Sequence, residues 1–280
     1  MKKHNIMNSI RKIFIIFLIS GFALSVFALV LYRFDFEAVF ADMTQKNNYE
    51  LIESSHSGVL NEISVILDNE SIKINTHDGE DILIKYYKHN RLSIITDSFE
   101  DGKLVFKMAS KWSFIQTWRI SEYRTVELLL PNSFSGELKL LIYNGFININ
   151  NLTLSNLAIE NYNGTITVDD CTATNLSSIS RNGKILISNT TSENIALTCY
   201  NGAITVAKCT VTNLNIINYN GINNVELIGS ANDYKIELIH GNGASFLNGN
   251  IANGTVSWGE NGNIYMKVSN GGNYLRFVNS

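Results

Sequence analysis

The chain has 280 residues, in which 22 Lys and Arg residues against 25 Asp and Glu residues give a formal charge of −3. This balance offers no broad basic surface, so we predict that the chain binds no nucleic acid. Only 17% of the residues are charged and Pro131 is the single proline, which excludes a disordered or linker-rich chain. The three cysteines and five histidines show no metal-ligand or redox spacing. We therefore predict no disulfide framework, no metal and no cofactor.

The N-terminal segment predicts the cellular compartment. Four cations among residues 1–12 precede an apolar run from Ile13 to Leu31. A helix of this length spans about 28 Å, close to the roughly 30 Å hydrocarbon core of a bilayer. The pattern predicts a cytoplasmic N-terminus over residues 1–12 and a single transmembrane anchor over residues 13–32 that contacts membrane lipid. The main domain would then be extracytoplasmic.

A cleaved signal peptide is the alternative to this anchor. The apolar core of such a peptide is usually shorter, about 7–15 residues, and small residues follow it directly. In this chain the nearest candidate cleavage site, Val39-Phe40-Ala41, lies well beyond the apolar run. The length of the run and this distance favour an anchor in the cell membrane.

Residues 143–238 contain five repeats with a period of nineteen residues, the fifth being one residue longer. Each repeat has an Asn-Gly pair, and we predict that the asparagines of these pairs form a structural ladder at Asn144, Asn163, Asn182, Asn201 and Asn220. Apolar residues form three columns, which are Ile147, Ile166, Ile185 and Ile204; Ile149, Val168, Ile187 and Val206; and Leu157, Leu176, Ile195 and Leu214. Asn223 replaces isoleucine in the fifth repeat. The period-2 spacing predicts short strands that bury one face, with two strands in each repeat.

Two all-β architectures fit these repeats. A β-solenoid of the β-helix or β-roll kind, with about nineteen residues per coil, requires equal spacing because each coil stacks on its neighbour. A meander of hairpins is the alternative, since Asn-Gly is a favoured hairpin turn. Constant spacing favours the solenoid. Asparagines that precede the second strand are expected to turn inward and stack as a ladder, at Asn156, Asn175, Asn194, Asn213 and Asn232.

The remaining chain lacks the clean period. Residues 33–57 are polar and aperiodic and predict a stalk, whereas residues 58–142 predict an irregular β region of the solenoid. Residues 239–280 predict irregular final coils and a cap, in which Asn242-Gly243 and Asn261-Gly262 are again nineteen residues apart. Because the chain ends almost directly after a predicted strand, we expect a poorly protected sheet edge there.

Two groups of residues are candidates for chemistry. Cations alternate with aromatics in a candidate binding patch, which contains Lys111, Trp112, Trp118, Arg119 and Arg124. Such a patch could stack on sugar rings or contact an anionic polymer, but period-2 spacing also explains the aromatics as core. Asp169 and Asp170 are adjacent carboxylates, and neighbouring repeats add no further acid beside them. We predict a solvated turn there and no catalytic residues.

The order of these features resembles the bacterial putative-adhesin family DUF4097, whose members are membrane-anchored β-strand-repeat proteins. The resemblance rests on ISVILDNESIKINTHDGEDILIKYY, on VELLLPNSFSGELKLLIYNGFININ and on the N-G-x-I-x-V repeats, and covers roughly residues 60–280. It implies a β-solenoid outside a membrane, with no established catalytic residues. The family more often has Asp after the glycine, where this chain has Thr165, Lys184 and Ala203.

These observations lead us to expect a non-catalytic, adhesin-like module that binds or is displayed at the cell envelope. Its partners would be a cell-wall polymer, a glycan or an envelope protein. One alternative is an accessory protein in envelope stress or signalling that acts through membrane partners. The other is a glycan-active enzyme, which requires clustered carboxylates in a groove.

Overall fold

A computed structural model describes residues 2–31, 49–89, 93–110 and 124–279. Helix α1 spans Lys2–Leu31, so it begins well before the predicted apolar span. The chain divides into two compact units, and the helix falls in a different unit from the described residues from Glu50 onward. The side chains between Ile13 and Phe27 are all exposed. Within the described residues, no helix combines the length and the apolar character that crossing a bilayer requires.

The described part of the chain contains sixteen strands joined in one sheet. Their bounds are β1 Tyr49–His56, β2 Glu62–Leu67, β3 Ser71–His77, β4 Ile82–His89, β5 Ser93–Glu100, β6 Lys103–Ser110, β7 Thr125–Pro131, β8 Glu137–Asn144, β9 Ile147–Asn150, β10 Thr153–Asp169, β11 Thr172–Ser188, β12 Thr191–Ile228, β13 Tyr234–Leu247, β14 Asn250–Ile251, β15 Gly254–Trp258 and β16 Gly262–Val278. Strand β1 lies within residues 33–57, so its residues belong to the sheet and the predicted stalk is wrong for them. Residues 32–48 lie outside the described ranges.

Successive repeats pair in parallel and place equivalent residues opposite each other. Strands β10 and β11 align Asn163 with Asn182 and Ile166 with Ile185, and strands β11 and β12 continue the same register. A meander of hairpins requires antiparallel neighbours, so this pairing excludes it. The fold is an all-β solenoid that follows one N-terminal helix.

The apolar columns form the core of the solenoid. Each of the twelve residues in the three predicted columns is at most 2% exposed. The second column continues through Val225 and Leu275, which lie opposite each other on β12 and β16. Alternation along each strand turns these side chains inward, and the parallel register stacks them coil upon coil.

The coils do not stack in chain order at either end. In space the parallel coils follow the order β6–β7, β2–β3, β8–β9, β10, β11, the two halves of β12, then β16 and β13. Strand β16 is therefore inserted between β12 and β13. Asn242 lies opposite Asn270, and Gly262 lies opposite Tyr234, so the nineteen-residue spacing of Asn242 and Asn261 does not make them equivalent.

Antiparallel strands cover both ends of the stack. At the C-terminal end β14 and β15 pair with β13, while β16, the last strand, lies inside the sheet. At the other end β4 pairs with β7 and β5 pairs with β6, both antiparallel. The expected poorly protected edge at the chain end is thus wrong, because the edge of β13 has hydrogen-bonding partners.

The Asn-Gly pairs are bends within continuous strands. Strand β10 runs through Asn163-Gly164 without interruption, and Gly164 and Gly183 have φ values of 142° and 154°. A Cβ atom built on Gly183 would lie 1.7 Å from the backbone oxygen of Gly164. Only glycine adopts this φ freely and also permits such a close approach of two backbones. Equivalent glycines therefore allow neighbouring coils to bend at the same place.

Substitution of this glycine tests the constraint. We expect Gly183→Ala to lower the free energy of unfolding by at least about 3 kcal/mol, because backbone strain adds to a clash with the next coil. Gly229→Ala is the matched control, since Gly229 has a φ of 130° with no atom near its Cβ position. It should cost about 1–3 kcal/mol, from backbone strain without the clash. Urea unfolding of the full chain, followed by circular dichroism, measures both values, and equal losses would contradict the proposed clash.

Candidate binding surface

An outward file of aromatic and cationic side chains runs along the bends. We name Tyr143, Tyr162, Arg181, Tyr200 and Tyr219, each directly before an Asn-Gly pair, the Tyr–Arg file. Tyr143 and Tyr162 stack with ring centroids 4.9 Å apart, as do Tyr200 and Tyr219. The Arg181 guanidinium lies 4.4 Å from the ring centroid of Tyr162 and 5.6 Å from that of Tyr200. The file therefore forms one continuous stack.

The parallel register explains this stack. Neighbouring strands lie about 4.8 Å apart, which is close to the distance at which aromatic rings stack or a guanidinium lies over a ring. Arg181 also forms an ion pair with Glu160 at 3.4 Å. Contact with the Tyr162 hydroxyl, and then the Glu160 charge, raises the pKa of Arg181 above its ordinary value. The file thus presents phenol groups and one permanent cation to solvent.

An asparagine ladder lies beside the Tyr–Arg file. Each Nδ2 donates to the Oδ1 of the preceding coil at 2.8–3.1 Å, through Asn144, Asn163, Asn182, Asn201 and Asn220. The ladder continues through Asn270 to Asn242, and Asn144 donates in turn to Asn69. All the amides point the same way, so each hydrogen bond polarises the next. Along its length this first asparagine ladder exposes amide groups beside the phenols.

A second asparagine ladder follows the other predicted column. Asn175, Asn194 and Asn213 each donate to the preceding asparagine at 2.8–2.9 Å, and Asn156 donates to Glu137 at 3.1 Å. These side chains are half-buried or exposed rather than turned inward. The Lys139 ammonium, and after it the Asn156 amide, hold the pKa of Glu137 below its usual range. The Glu137 carboxylate thus accepts the hydrogen bond at the Asn156 end of the ladder.

The predicted place of Asn232 in that ladder is wrong. The donor to Asn213 is Asn263, at 3.1 Å, because β16 is the strand beside β12. Asn232 instead follows Ser230, whose hydroxyl oxygen accepts from the Asn232 backbone N–H. The nineteen-residue spacing to Asn232 was therefore coincidental.

Asn223 belongs to a polar group inside the solenoid. It accepts from Asn218 at 2.9 Å and donates to Asn273 at 2.7 Å, and all three residues are fully buried. Asn273 donates to Ser245, whose hydroxyl lies 3.1 Å from Nδ1 of His240. These groups bind one another, so they explain why an asparagine interrupts the isoleucine column. Their function in the fold is structural.

The three cysteines are buried and form no disulfide bond. Burial raises the pKa of Cys171 and of Cys199 to about 11, and it also raises the pKa of Cys209. A buried thiol stays protonated at neutral pH, and the thiolate is the nucleophilic form. The thiols therefore act as packing side chains.

Thiol reactivity tests this assignment. At pH 8 the folded chain should react with a disulfide reagent at least about a hundredfold more slowly than the urea-unfolded chain, because a pKa of about 11 leaves so little thiolate. The native rate should rise as the pH approaches 11. Absorbance of the released thiolate gives both rates. Equal rates in the folded and unfolded chains would show that the thiols are accessible and ionised.

The candidate binding patch lies largely outside the described residues. Lys111, Trp112, Trp118 and Arg119 fall within residues 111–123, which the structure does not describe, and Arg124 is half-buried directly before β7. In the part of the chain that is described, no three His, Cys, Asp or Glu side chains converge as metal ligands.

The adjacent carboxylates support the turn between coils. Asp169 accepts hydrogen bonds from Ser188 Oγ at 2.6 Å and from Asn189 Nδ2 at 2.9 Å, both in the next coil. Asp170 is exposed in the left-handed region, with a φ of 52°. Asp and Asn tolerate this conformation better than most residues. These contacts indicate a structural turn.

Ser54, His56 and Asp97 meet in a cluster that sequence reasoning missed. Nε2 of His56 lies 2.6 Å from Asp97 Oδ1 and 3.3 Å from Ser54 Oγ, and Ser54 donates to the second Asp97 oxygen at 2.5 Å. A nucleophile–base–acid triad requires one ring nitrogen for the serine and the other for the carboxylate. Here a single nitrogen faces both groups, so the serine is not activated.

The Tyr–Arg file was also missed, although its signal stands in the sequence. Four of the five repeats begin with Tyr-Asn-Gly, and Arg181 replaces the tyrosine in the third repeat. The residue directly before each Asn-Gly pair is therefore the signal in the sequence that predicts an outward stack of aromatic and cationic side chains.

Comparisons with known proteins identify the family of this chain. The profile of the family DUF4097, described as Toastrack, matches residues 60–244. A crystal structure from Bacteroides fragilis described as "a putative adhesin" is 13% identical, with a TM-score of 0.44, over 82% of this chain and 97% of the other. One from Clostridium sporogenes described as "a putative cell adhesion protein" is 11% identical, with a TM-score of 0.37, over 82% of this chain and all of the other. No curated protein matches the sequence. Because the family profile covers more than half of its length, the chain belongs to the DUF4097 (Toastrack) family.

Proposed function

We propose that this chain is a non-catalytic, adhesin-like binding module displayed on the outer side of the cell membrane. The observation that carries the proposal is the Tyr–Arg file beside the first asparagine ladder. Four intervals between five stacked side chains give this surface a length of about 19 Å. Phenol, guanidinium and amide groups stand in fixed positions along it.

The chemistry of this surface suits binding. Tyrosine and arginine are enriched where proteins recognise partners, because each combines a large flat contact area with a polar group. Stacking orders these side chains before any partner arrives, so association costs less conformational entropy. Tyr200 and Tyr219 remain 38% and 43% exposed in the stack. A rigid, repetitive partner such as a cell-wall polymer fits a surface of this kind.

Loss of the exposed rings tests the binding proposal. The full chain, in detergent micelles, should co-sediment with isolated cell-wall sacculi. The double variant Tyr200→Ala and Tyr219→Ala should reduce the bound fraction at least about fivefold, because it removes two contact groups together. Thr172→Ala with Thr191→Ala is the control, since these threonines are exposed elsewhere on the coils. Absence of wild-type binding, or equal binding by all three proteins, would contradict the proposal.

The display part of the proposal rests on the sequence. The apolar run from Ile13 to Leu31 has the length of a membrane span, and the cations before it favour an N-terminus in the cytoplasm. The same orientation places every β-strand outside the cytoplasm. A binding module in that position meets envelope material directly.

Fractionation tests this topology. In bacterial cells that express the full chain, we expect the protein to remain with membranes after an alkaline wash. Protease added to spheroplasts should remove the β-domain, whereas an N-terminal tag should stay protected. Deletion of residues 1–31 should release the protein from membranes. A soluble wild-type product that begins at residue 42 would instead demonstrate a cleaved signal peptide.

A further inference from the structure

A second surface feature lies near the C-terminal end of the solenoid, on the outer face of the strand that follows the Asn-Gly bend of each coil. The register places Asn224, Tyr274 and Phe246 in one outward file across β12, β16 and β13, and Thr205 precedes Asn224 by nineteen residues. The file thus changes from short polar to aromatic side chains. A cleft of about 630 Å³ lies at this change, lined among others by Thr205, Asn224, Glu226, Phe246, Tyr274 and Arg276.

The aromatic pair forms one wall of the cleft. Tyr274 and Phe246 stack with centroids 5.1 Å apart and ring planes 7° from parallel. Tyr274 is 44% exposed although Phe246 covers one of its faces. The neighbour on its other side is Asn224, whose side chain is much shorter than a ring. A flat, apolar ring face is therefore left facing the cleft.

An ion pair forms a polar rim beside this wall. Arg276 and Glu226 lie opposite each other on β16 and β12, and the guanidinium contacts the carboxylate. The Glu226 side chain is only 13% exposed, whereas that of Arg276 is 69% exposed. The contact neutralises both charges and holds the carboxylate in place. With the Asn224 amide and the Thr205 hydroxyl, the rim provides hydrogen-bond donors and acceptors of fixed position and no net charge.

We propose that this cleft binds a neutral hexopyranose ring of a glycan. One face of a pyranose consists of C–H groups that pack on an aromatic ring, and its rim consists of hydroxyls that both donate and accept hydrogen bonds. In the cleft, the ring of Tyr274 can pack on the C–H face of the sugar. The side chains of Glu226, Arg276 and Asn224 can form hydrogen bonds with its hydroxyls. A volume of about 630 Å³ lies within the range of small-ligand sites.

Electrostatics distinguishes this ligand from other polymers. The carboxylate of Glu226 opposes an anionic ligand, and its pairing with Arg276 leaves no excess positive charge to attract one. A purely apolar partner would leave the rim without hydrogen bonds, which is costly when water is displaced. A neutral sugar carries no charge for Glu226 to repel, and its hydroxyls form hydrogen bonds with the rim. The inference rests on the proposed binding function and adds a ligand class on a surface separate from the Tyr–Arg file.

Calorimetric titration of the full chain tests the subsite. The probes are chitotetraose, cellotetraose and maltotetraose, with a hyaluronan tetrasaccharide as the anionic comparison, in a detergent that has no sugar headgroup. We expect at least one neutral probe to bind and the anionic one not to bind. Tyr274→Ala should weaken binding about tenfold or more, whereas Tyr274→Phe should stay within about threefold because the ring face is retained.

Two further variants keep the test decisive. Asn224→Tyr should extend the aromatic file, fill the space before Tyr274 and abolish sugar binding even if Tyr274→Ala unfolds the chain. Thr172→Ala, which is distant from the cleft in the register, should bind as wild type. Saturation-transfer NMR should show the strongest signals at the ring C–H protons of the bound sugar.

The outcomes separate the two proposals. Failure of all three neutral probes to bind, tighter binding of the anionic probe, or wild-type affinity in both Tyr274→Ala and Asn224→Tyr would overturn the subsite. If sacculus binding still depends on Tyr200 and Tyr219 in that case, the proposed function stands without it. A further outcome is that Tyr274→Ala weakens sugar binding while the Tyr200→Ala and Tyr219→Ala double variant binds sacculi as wild type does. That result would support the subsite and show that the proposed binding surface is wrong.

Discussion

The rest of the structure depends on the close approach of glycine backbones in successive coils. A Cβ on Gly183 or Gly202 would lie 1.7 Å from the backbone oxygen of the preceding glycine. Both glycines have positive φ values, so a larger residue at either position would strain the backbone and clash with the neighbouring coil. Once this position is set, every other residue of a repeat lies over its equivalent at the strand spacing. In the regular repeats this contact fits the register of the parallel strands.

Exact superposition of repeats creates files that no single repeat could form. Asparagine amides polarise one another along two ladders, and tyrosine rings stack around one arginine. Each contact is worth little alone, but each also orients the next. The solenoid thus converts a short sequence pattern into a long, rigid surface. This rigid surface is the physical basis of the binding role that we propose.

Antiparallel strands pair with the outermost parallel coils at both ends of the stack. A regular solenoid exposes unpaired backbone groups at both ends, which invites association with other chains. Here antiparallel strands pair with the outermost coils, β14 and β15 on β13, and β4 and β5 on β7 and β6. The insertion of β16 also brings Tyr274 and Arg276 beside Asn224 and Glu226. The same arrangement therefore protects an end and assembles the proposed sugar cleft.

The sequence alone determined the coil, because its period, its Asn-Gly pairs and its apolar columns are local signals that repeat within nineteen residues. From them the buried columns and both asparagine files could be predicted. The order of the outer coils could not, since spacing says which residues are equivalent but not which strand becomes a neighbour; Asn261 had the right spacing, yet Asn270 has the right place. The outward or inward direction of the asparagines, the pairing of Asn223 with Asn273 and the meeting of Glu226 with Arg276 were likewise decided by tertiary packing. These contacts join residues whose proximity depends on the path of the whole chain, so only the folded structure reveals them.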